Sequence, residues 1–334
     1  MLSKIKTKLG NFKETARRSK YAHYYKDYDI EDNIILYDSY FSRGMLCNPY
    51  AIFRELLSNS EFDNFTHVWV VDDRVGNEPV MEQFADHDNI YGIRRHSNDH
   101  LKYLATAHYI ISNVSLPFYY CKKPGQIFVN TWHGTPIKSL GYDIPGSAAT
   151  ISNVLRNMLS ADYMISANPF LTEVYLDKYK LRGLYNGSII EEGYPRNDRL
   201  LNCPKEEIKS LLLKYGIELE KDKQVILYAP TWKGADYNKP EVNPDDYYNF
   251  KRELEEYIDT DKYQILLKPH QVVYKELVKS GMFSNSLIPA FIDTNELLSI
   301  TDILISDYSS IFFDFLASDK PVLFYIPDLE EYKN

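Results

Sequence analysis

A segment that could perform proton transfer follows a predicted strand at Asn130–Lys138, which reads NTWHGTPIK. His133 stands in the turn after this strand, where a histidine can act as a general base near neutral pH. Gly134 permits an unusual turn and a close approach of a ligand. Thr135 can cap a following helix that has Pro136 at its first position. A histidine that only hydrogen-bonds the turn is the alternative, and we favour the catalytic interpretation.

A second candidate site lies in Thr301–Pro327, whose pattern predicts a strand, a polar turn, a helix and another strand. A helix N-terminus that directly follows a parallel strand presents N–H groups and the positive end of the helix dipole, which favour phosphate. Ser309 and Ser310 add hydroxyl donors there. Asp314, one turn further on, can accept hydrogen bonds from a sugar or polyol hydroxyl, or it is a plain carboxylate on the helix surface. The segment predicts an anionic, phosphorylated ligand.

Cations that can hold phosphate stand in two further segments. Arg196, in YPRND at the predicted domain junction, can pair with phosphate in bidentate fashion or form an interdomain salt bridge. Lys268 and His270, in LLKPH, follow a strand and can neutralise a diphosphate without a metal, or remain solvated charges. Trp232, in YAPTWKG, can stack on a base or pack under its own loop.

No metal site is predicted from the sequence. Asp72 and Asp73 follow a strand, but no third ligand stands at a suggestive spacing. The cysteines lack metal-ligand spacing and fit free thiols in a reducing compartment; they are Cys47, Cys121 and Cys203. The P-loop, the GxSxG elbow and the GxGxxG fingerprint do not occur.

Short apolar runs alternate with helical stretches along the chain, which predicts parallel sheets with helices on both faces. In the first half, strands are predicted at Ile34–Tyr37, His67–Val71, Asn89–Ile93, Tyr109–Ser112, Ile127–Thr131, Tyr163–Ser166 and Ser188–Glu192. In the second half, they are predicted at Gln224–Tyr228, Tyr263–Leu267, Ile303–Ile305 and Val322–Tyr325. Helices between the strands are predicted at Tyr50–Ser58, Asp99–Ala107, Pro169–Tyr179, Asp245–Ile258 and Thr294–Ser299.

The break in this series, with 334 residues in all, predicts two doubly wound α/β domains. We place them at 31–195 and 196–334, with the ligand-binding ends of the strands facing each other across a cleft. Asn238–Asp246 is predicted to be a mobile surface loop. A fold of this kind normally adds at least one more helix, so we expect the second domain to lack its last helices.

Charge is distributed unevenly along the chain. The net charge of −9 excludes wholesale binding of nucleic acid. The first 27 residues carry eight basic and two acidic side chains, a local charge of +6, beside an apolar side formed at helical spacing by Met1, Leu2, Ile5, Leu9 and Phe12. Residues 1–30 can therefore lie on an anionic membrane surface, or they form a solvated helix. We expect no signal peptide and no run that spans a bilayer.

The chain resembles the CDP-glycerol glycerophosphotransferases in five ordered segments: NTWHGTPIK, GYPRND, YAPTWKG, LLKPH and SDYSSIFFDF. These are the teichoic acid primases and polymerases of bacterial cell walls, with relatives that build capsules. The resemblance runs from Asp38 to Tyr325. It implies a GT-B type fold with two Rossmann-like domains. It also implies transfer of a polyol phosphate, glycerol or ribitol, from a CDP-linked donor to an acceptor hydroxyl, with release of CMP.

The resemblance also implies roles for individual residues. His133 would be the catalytic base that takes the acceptor's proton, and His270 would contact the diphosphate and support charge on the leaving group. The implied donor-binding residues are Gly134, Thr135, Pro136, Ile137, Arg196, Thr231, Trp232, Lys268, Ser309, Ser310 and Asp314. We expect no cofactor and no metal, because cations and a helix N-terminus stand where metal-dependent enzymes use Mg²⁺.

The implied partners are CDP-glycerol or CDP-ribitol, a lipid-linked or polymeric polyol-phosphate or saccharide acceptor, and an anionic membrane surface. We expect a cytoplasmic protein that is peripheral at the inner face of the cell membrane. Two alternatives remain open. One is a nucleotide-sugar glycosyltransferase of the same fold, which would release a nucleoside diphosphate. The other is a non-catalytic scaffold in a wall-polymer assembly complex, against which the presence of His133 and His270 argues.

Overall fold

The computed structural model describes residues 2–72, 78–236, 239–283 and 285–330. The chain divides into two compact units, Met1–Pro195 and Arg196–Asn334, called unit 1 and unit 2 below.

Unit 1 is built on one sheet of seven parallel strands. The strands are β1 (Glu31–Asp38), β2 (Thr66–Val71), β3 (Ile90–Arg94), β4 (Ala107–Ser112), β5 (Ile127–Asn130), β6 (Tyr163–Ile165) and β7 (Ser188–Ile190). Their order across the sheet is β3-β2-β1-β4-β5-β6-β7. Leu36 of β1 lies beside Val68 of β2 and Ile110 of β4, and all three side chains are almost fully buried. Such continuous apolar strands are typical of a parallel sheet that is covered on both faces.

The helices of unit 1 are α1 (Leu2–Asp27), α2 (Cys47–Ser58), α3 (Glu78–Glu82), α4 (Asn98–Thr106), α5 (Ser152–Ser160) and α6 (Pro169–Glu173). Residues Val174–Lys178 continue α6 as a π-helical turn. Ser97 caps α4 by accepting a hydrogen bond from the His100 N–H at 3.2 Å. The helix predicted to begin at Thr135 is wrong: the chain after β5 is irregular as far as a short 3₁₀ turn at Gly141–Asp143.

The helix α1 is attached to unit 1 through its second half. Tyr21 is 4% exposed, and its hydroxyl donates a hydrogen bond to the Cys121 carbonyl at 2.6 Å. Phe12, on the predicted apolar side, is 74% exposed. The other members of that side lie outside the described side chains: Met1, Leu2, Ile5 and Leu9. Within the described ranges, no helix is both long and apolar enough to cross a bilayer.

Unit 2 contains a second parallel sheet, of four strands: β8 (Gln224–Ala229), β11 (Tyr263–Leu267), β12 (Ile303–Ser306) and β13 (Val322–Phe324). Their order is β11-β8-β12-β13. Two short antiparallel strands, β9 (Lys233–Asp236) and β10 (Lys239–Glu241), form a separate hairpin. The prediction of a mobile loop at Asn238–Asp246 is therefore wrong for residues 239–241, which form β10, and for residues 244–246, which begin a helix, and Asn238 lies outside the described residues.

The helices of unit 2 are α7 (Pro195–Asn202), α8 (Lys205–Lys214), α9 (Pro244–Tyr257), α10 (Gln271–Ser280), α11 (Thr294–Ser299) and α12 (Ile311–Phe315). One core joins α7, α8, α11 and α12 to the sheet and includes Leu227 of β8, Leu304 of β12 and Phe315 of α12. A second core joins α9 and α10 to the sheet and includes Val273 and Leu277 of α10.

Each sheet has one place where the strand order reverses direction. In unit 1 it lies between β1 and β4, and in unit 2 between β8 and β12. Loops at the carboxyl ends of two such strands diverge to opposite faces of the sheet and leave a crevice, where ligands bind in doubly wound folds. The chain segments that follow β1, β4, β8 and β12 therefore border the crevices where a ligand is expected to bind.

Candidate active site

His133 lies three residues beyond β5, exposed to solvent, with its ring stacked on Trp132 at 4.9 Å between ring centroids. Its Nδ1 atom is 2.8 Å from the backbone carbonyl oxygen of Asn113. Because a carbonyl only accepts hydrogen bonds, Nδ1 carries the proton in this pair, and in the neutral ring Nε2 carries the lone pair. This is the tautomer that a general base needs if it is to take a proton at Nε2.

The turn that carries His133 is held by its neighbours rather than by a following helix. Trp132 adopts a left-handed conformation, with φ of +51°. The Gly134 N–H donates to the Tyr194 hydroxyl at 3.1 Å, and the Thr135 hydroxyl accepts from the Asn168 side chain at 3.3 Å. Gly134 and Thr135 are both buried.

The next two residues of the predicted donor set are more open. Pro136 is partly exposed and Ile137 is 43% exposed. All four predicted donor-binding residues from Gly134 to Ile137 thus lie in unit 1, in the irregular segment that follows His133.

The segment after β1 contains three consecutive residues with left-handed backbones, Tyr40, Phe41 and Ser42, with φ of 48°, 59° and 69°. Left-handed conformations cost roughly 1–2 kcal/mol per residue for side chains other than glycine. The buried Asp38 carboxylate accepts a hydrogen bond from the Ser42 N–H at 2.8 Å and forms an ion pair with Arg95. Burial raises the pKa of Asp38, and the Arg95 charge and the Ser42 N–H oppose that rise.

Two buried asparagines connect this segment and α2 to the His133 turn. Asn113, which follows β4, is fully buried, and its side chain accepts from the Tyr40 N–H at 2.9 Å. Asn48, at the start of α2, donates to the carbonyls of Thr131 and Trp132 at 3.2 and 3.3 Å. Neither asparagine was predicted as a site residue, and Asp38 was not predicted either. A search for polar residues directly after each predicted strand would have found Asp38 and Asn113.

His270, in unit 2, has the opposite tautomer to that of His133, because its Nδ1 atom accepts a hydrogen bond. It caps α10, with its Nδ1 accepting a hydrogen bond from the Val272 N–H at 3.4 Å. In the neutral ring the proton is therefore on Nε2, which makes that atom a hydrogen-bond donor. The Trp232 ring lies 6.4 Å from the His270 ring, so the structure places these two predicted residues together.

A hydrogen-bonded clamp joins the ends of β8 and β12. Thr231 donates its backbone N–H to both Asp307 carboxylate oxygens, at 2.9 and 3.0 Å, and its hydroxyl to one of them at 3.0 Å. Burial raises the pKa of Asp307, and the bonds from Thr231 oppose the rise. The sequence alone does not predict this contact, because Thr231 and Asp307 are far apart along the chain.

Ser309 and Ser310 lie in the same turn, partly exposed. The Ile311 N–H donates to the Ser309 hydroxyl at 3.3 Å, and Ser310 precedes α12 without capping it through its side chain. The α-helix that follows is only five residues long. Since the dipole grows with helix length, the predicted phosphate site would depend on the two hydroxyls and the local N–H groups more than on the helix.

Lys268 requires a correction. Its side chain is buried, and its ammonium donates to the carbonyls of Pro289 and Ile292, each at 2.8 Å. Burial lowers the pKa of Lys268 to about 7, while the nearby charge of Asp293 opposes the fall. The alternative of a solvated charge is therefore wrong for Lys268, which ties β11 to the segment before α11, and its contact with phosphate stays a prediction.

Arg196 and Asp314 form a buried ion pair at 2.7 Å, with side chains only 5% and 8% exposed. Burial raises the pKa of Asp314, and the Arg196 charge opposes that rise. The alternative of a plain surface carboxylate for Asp314 is wrong. Both residues lie in unit 2, so the alternative of an interdomain salt bridge for Arg196 is wrong for this pair. Donor binding by either residue stays a prediction.

Within the described ranges, no group of three or more His, Cys, Asp or Glu side chains is placed to hold a metal ion. Asp72, the first of the discounted acidic pair, is 8% exposed, and Asp73 lies outside the described residues. Metal independence stays a prediction.

Residues 20–334 match the family model described as CDP-Glycerol:Poly(glycerophosphate) glycerophosphotransferase. A teichoic acid poly(glycerol phosphate) polymerase from Bacillus spizizenii is 34% identical over 91% of this chain and 76% of its own length. The teichoic acid ribitol-phosphate polymerase TarL from Staphylococcus aureus is 28% identical over 69% of this chain and 41% of its own length.

A solved structure has the same fold. A histidine-to-asparagine variant of the wall teichoic acid polymerase TagF, soaked with CDPG, superposes with a TM-score of 0.75 at 26% identity. The match covers 99% of this chain and 81% of that one. The predicted α/β fold of the GT-B type is thereby confirmed.

Proposed function

Since the chain belongs to the CDP-Glycerol:Poly(glycerophosphate) glycerophosphotransferase family, we propose that it transfers glycerol phosphate from CDP-glycerol to a hydroxyl of a polymeric or lipid-linked acceptor. The observation that supports the proposal most is the hydrogen bond from His133 Nδ1 to the Asn113 carbonyl. It makes Nε2 the basic atom of an exposed histidine, beyond the carboxyl end of a parallel strand.

The acceptor hydroxyl attacks the phosphorus that carries the glycerol. A new P–O bond forms, the bond from that phosphorus to the bridging diphosphate oxygen breaks, and CMP leaves with the bonding electrons. His133 Nε2 takes the hydroxyl proton as the attack proceeds. Reactions of this kind depend on alignment and on neutralising oxygen charge more than on covalent catalysis by the protein.

His270 suits the leaving-group side of this reaction. With Nδ1 held as an acceptor by Val272, Nε2–H can donate to a diphosphate oxygen and stabilise its growing charge. Trp232, beside it, can pack on the donor. The Ser309 and Ser310 hydroxyls are further donors to phosphate, as the sequence predicts.

Glycerol is the proposed polyol because the family description and the relative with the higher identity both carry it. Ribitol is the second candidate, because the ribitol-phosphate polymerase TarL is also similar to this chain. The nucleotide-sugar transferase of the same fold predicts a nucleoside diphosphate product. A scaffold predicts no product.

The test measures CMP release from CDP-glycerol and from CDP-ribitol by the purified protein with a lipid-linked poly(glycerol phosphate) acceptor. We expect release from CDP-glycerol that is lost in His133→Ala, while calorimetry shows that the variant still binds the donor. Release from CDP-ribitol alone would replace the polyol. If the protein releases no CMP and also binds neither donor, polyol-phosphate transfer is refuted. Adding a chelator to the same assay tests metal independence, with unchanged release as the expected result.

We also propose that the first half of α1 contacts anionic lipid. The support is its basic charge and the exposure of Phe12 on a helix that is anchored at Tyr21. Flotation with vesicles containing phosphatidylglycerol, compared with phosphatidylcholine alone, tests this contact. Lys6→Glu with Lys13→Glu should reduce flotation with the anionic vesicles, and equal flotation of variant and parent would refute the proposal. A location at the inner face of the membrane is part of the same proposal.

A further inference from the structure

We propose that the buried asparagines Asn113 and Asn48 are positioning residues that hold His133 in the tautomer and place needed for catalysis. The proposal rests on the proposed function for its catalytic part. Its structural part, the state of the His133 ring, can be measured independently of any reaction.

Asn113 uses both its backbone and its side chain. Its carbonyl accepts from His133 Nδ1, its N–H donates to the Asp38 carbonyl at 3.4 Å, and its side chain donates to the Ser39 hydroxyl at 3.3 Å. The side chain also accepts from the Tyr40 N–H. One fully buried residue thus connects the end of β1, the end of β4 and the imidazole.

The two strands that Asn113 connects are the ones between which the order of the sheet reverses. Without this residue, the divergent loops there would be free to separate and to leave the Nδ1–H without a fixed acceptor. The segment that Asn113 holds is strained, with left-handed residues from Tyr40 to Ser42. Such conformations persist only where surrounding contacts determine them, and they concentrate at functional sites.

The strained segment reaches the histidine directly. The Tyr40 ring lies edge-on to the His133 ring, with 5.9 Å between centroids. The Arg95 guanidinium pairs with Asp38 and lies 5.3 Å from the centre of the Phe41 ring, which supports the same turn from the other side. The turn therefore sets one boundary of the space that His133 can occupy.

Asn48 acts on the peptide just before the histidine. Its amide donates to the Thr131 and Trp132 carbonyls, and Trp132 is left-handed. The Trp132 carbonyl also accepts from the Thr131 hydroxyl at 3.2 Å, whereas the Thr131 carbonyl would lose its Asn48 donor. A bulky residue in the left-handed conformation would then relax, and His133 would turn with it. Asn48 and Asn113 thus constrain the backbone and the ring of His133 from different elements.

The experiment combines kinetics with imidazole ¹⁵N NMR, in which the His133 signals are assigned by comparison with His133→Ala. In the parent protein at a pH where the ring is neutral, we expect the Nδ1–H tautomer. Asn113→Ala keeps the backbone carbonyl, yet it should give a mixture of tautomers and lower kcat roughly 10- to 100-fold, as small displacements of reacting groups do. KM for CDP-glycerol should change by less than about threefold, because donor contacts remain.

Asn89→Ala is the matched control, since it removes a side-chain hydrogen bond of 2.9 Å to the Phe65 carbonyl elsewhere in unit 1. It should leave both the tautomer and kcat unchanged. Asn48→Ala is measured in the same way, so that the proposal stays testable if Asn113→Ala fails to fold. The proposal is overturned if a folded Asn113→Ala or Asn48→Ala keeps the parent tautomer and rate, or if the parent ring is the Nε2–H tautomer. A parent protein that neither releases CMP nor binds the donor, but shows the expected tautomers, would refute the proposed function and leave the positioning role standing.

Discussion

The two units hold their histidines in opposite ways. In unit 1, a carbonyl oxygen faces His133 Nδ1 and leaves Nε2 basic, whereas in unit 2 a backbone N–H faces His270 Nδ1 and makes Nε2 a donor. The clamps across the two points of strand reversal also differ, with a neutral asparagine in unit 1 and a carboxylate in unit 2. The backbone group at Nδ1 therefore leaves Nε2 of the neutral His133 ring as an acceptor and makes Nε2 of the neutral His270 ring a donor.

Glutamine substitutions should reveal the largest difference in activity between changes at His133 and changes at His270. A glutamine amide can donate a hydrogen bond but cannot act as a base. His133→Gln should therefore lose about 10²- to 10⁴-fold in kcat, the usual contribution of a general base. His270→Gln should keep a larger part of the activity than His270→Ala. CMP release under saturating donor measures both, and equal losses for the two glutamine variants would break the comparison.

Breaking the buried ion pair between Arg196 and Asp314 should give the largest loss of stability among these substitutions. Arg196→Ala leaves the Asp314 carboxylate buried without its counter-charge, which costs about 3–5 kcal/mol in the free energy of unfolding. Chemical denaturation measures it. Arg196→Met combined with Asp314→Leu should recover most of the loss. If Arg196→Ala instead unfolds like the parent but binds CDP-glycerol more weakly, the phosphate role predicted from the sequence is right.

Even a small change to the clamp between Asp307 and Thr231 should lower the free energy of unfolding. Asp307→Asn places an amide where two donors from Thr231, its N–H and its hydroxyl, now make three contacts with charged oxygens, and we expect a loss of about 1–3 kcal/mol in the free energy of unfolding. Thr231→Val removes only the hydroxyl bond and should cost less. Denaturation curves of the two variants test the order, and a larger effect for Thr231→Val would contradict it.

A pH-dependent difference should distinguish Lys268 from a surface lysine. Its folded pKa of about 7 lies below the unfolded value, so the unfolded chain binds more protons between about pH 7 and pH 10. The advantage of the parent over Lys268→Met should then grow with pH in that window, by at most about 1.4 kcal/mol per pH unit. Unfolding measured at several pH values tests this. A constant difference would contradict the lowered pKa. Lys262 is the control: the hydrogen bond and charge of Asp259 raise its pKa, so the advantage of the parent over Lys262→Met should not grow with pH in this window.

The sheets could be predicted from the sequence because buried parallel strands are continuous apolar runs. The predicted strand Tyr263–Leu267 and the predicted helix Thr294–Ser299 agree with the structure at both ends. Helices α5 and α10 were missed, since at least half of the residues in each are polar, which weakens the apolar pattern. The false helix after Thr135 arose from a proline signal that a distant contact with Asn168 overrides.

The site was predicted only in part, for a related reason. Residue type and position after a strand predict His133 and His270, and the family resemblance adds Thr231; the roles of all three stay predictions. What each side chain contacts depends on segments far away in the sequence, such as Pro289 and Ile292 around the Lys268 ammonium. Burial of a cation, or its pairing with a carboxylate, cannot be inferred from its immediate neighbours along the chain.

The anchoring of α1 has a geometric consequence. The packing contacts described for this helix come from its second half, with Tyr21 as the buried residue. A helix rises about 1.5 Å per residue, so Leu2 lies roughly 28 Å along the axis from Tyr21. If a surface bound the first residues of α1, the helix would fix the distance between that surface and Tyr21. Shortening α1 by one full turn would then change the reach of the enzyme by a fixed step of about 5.4 Å.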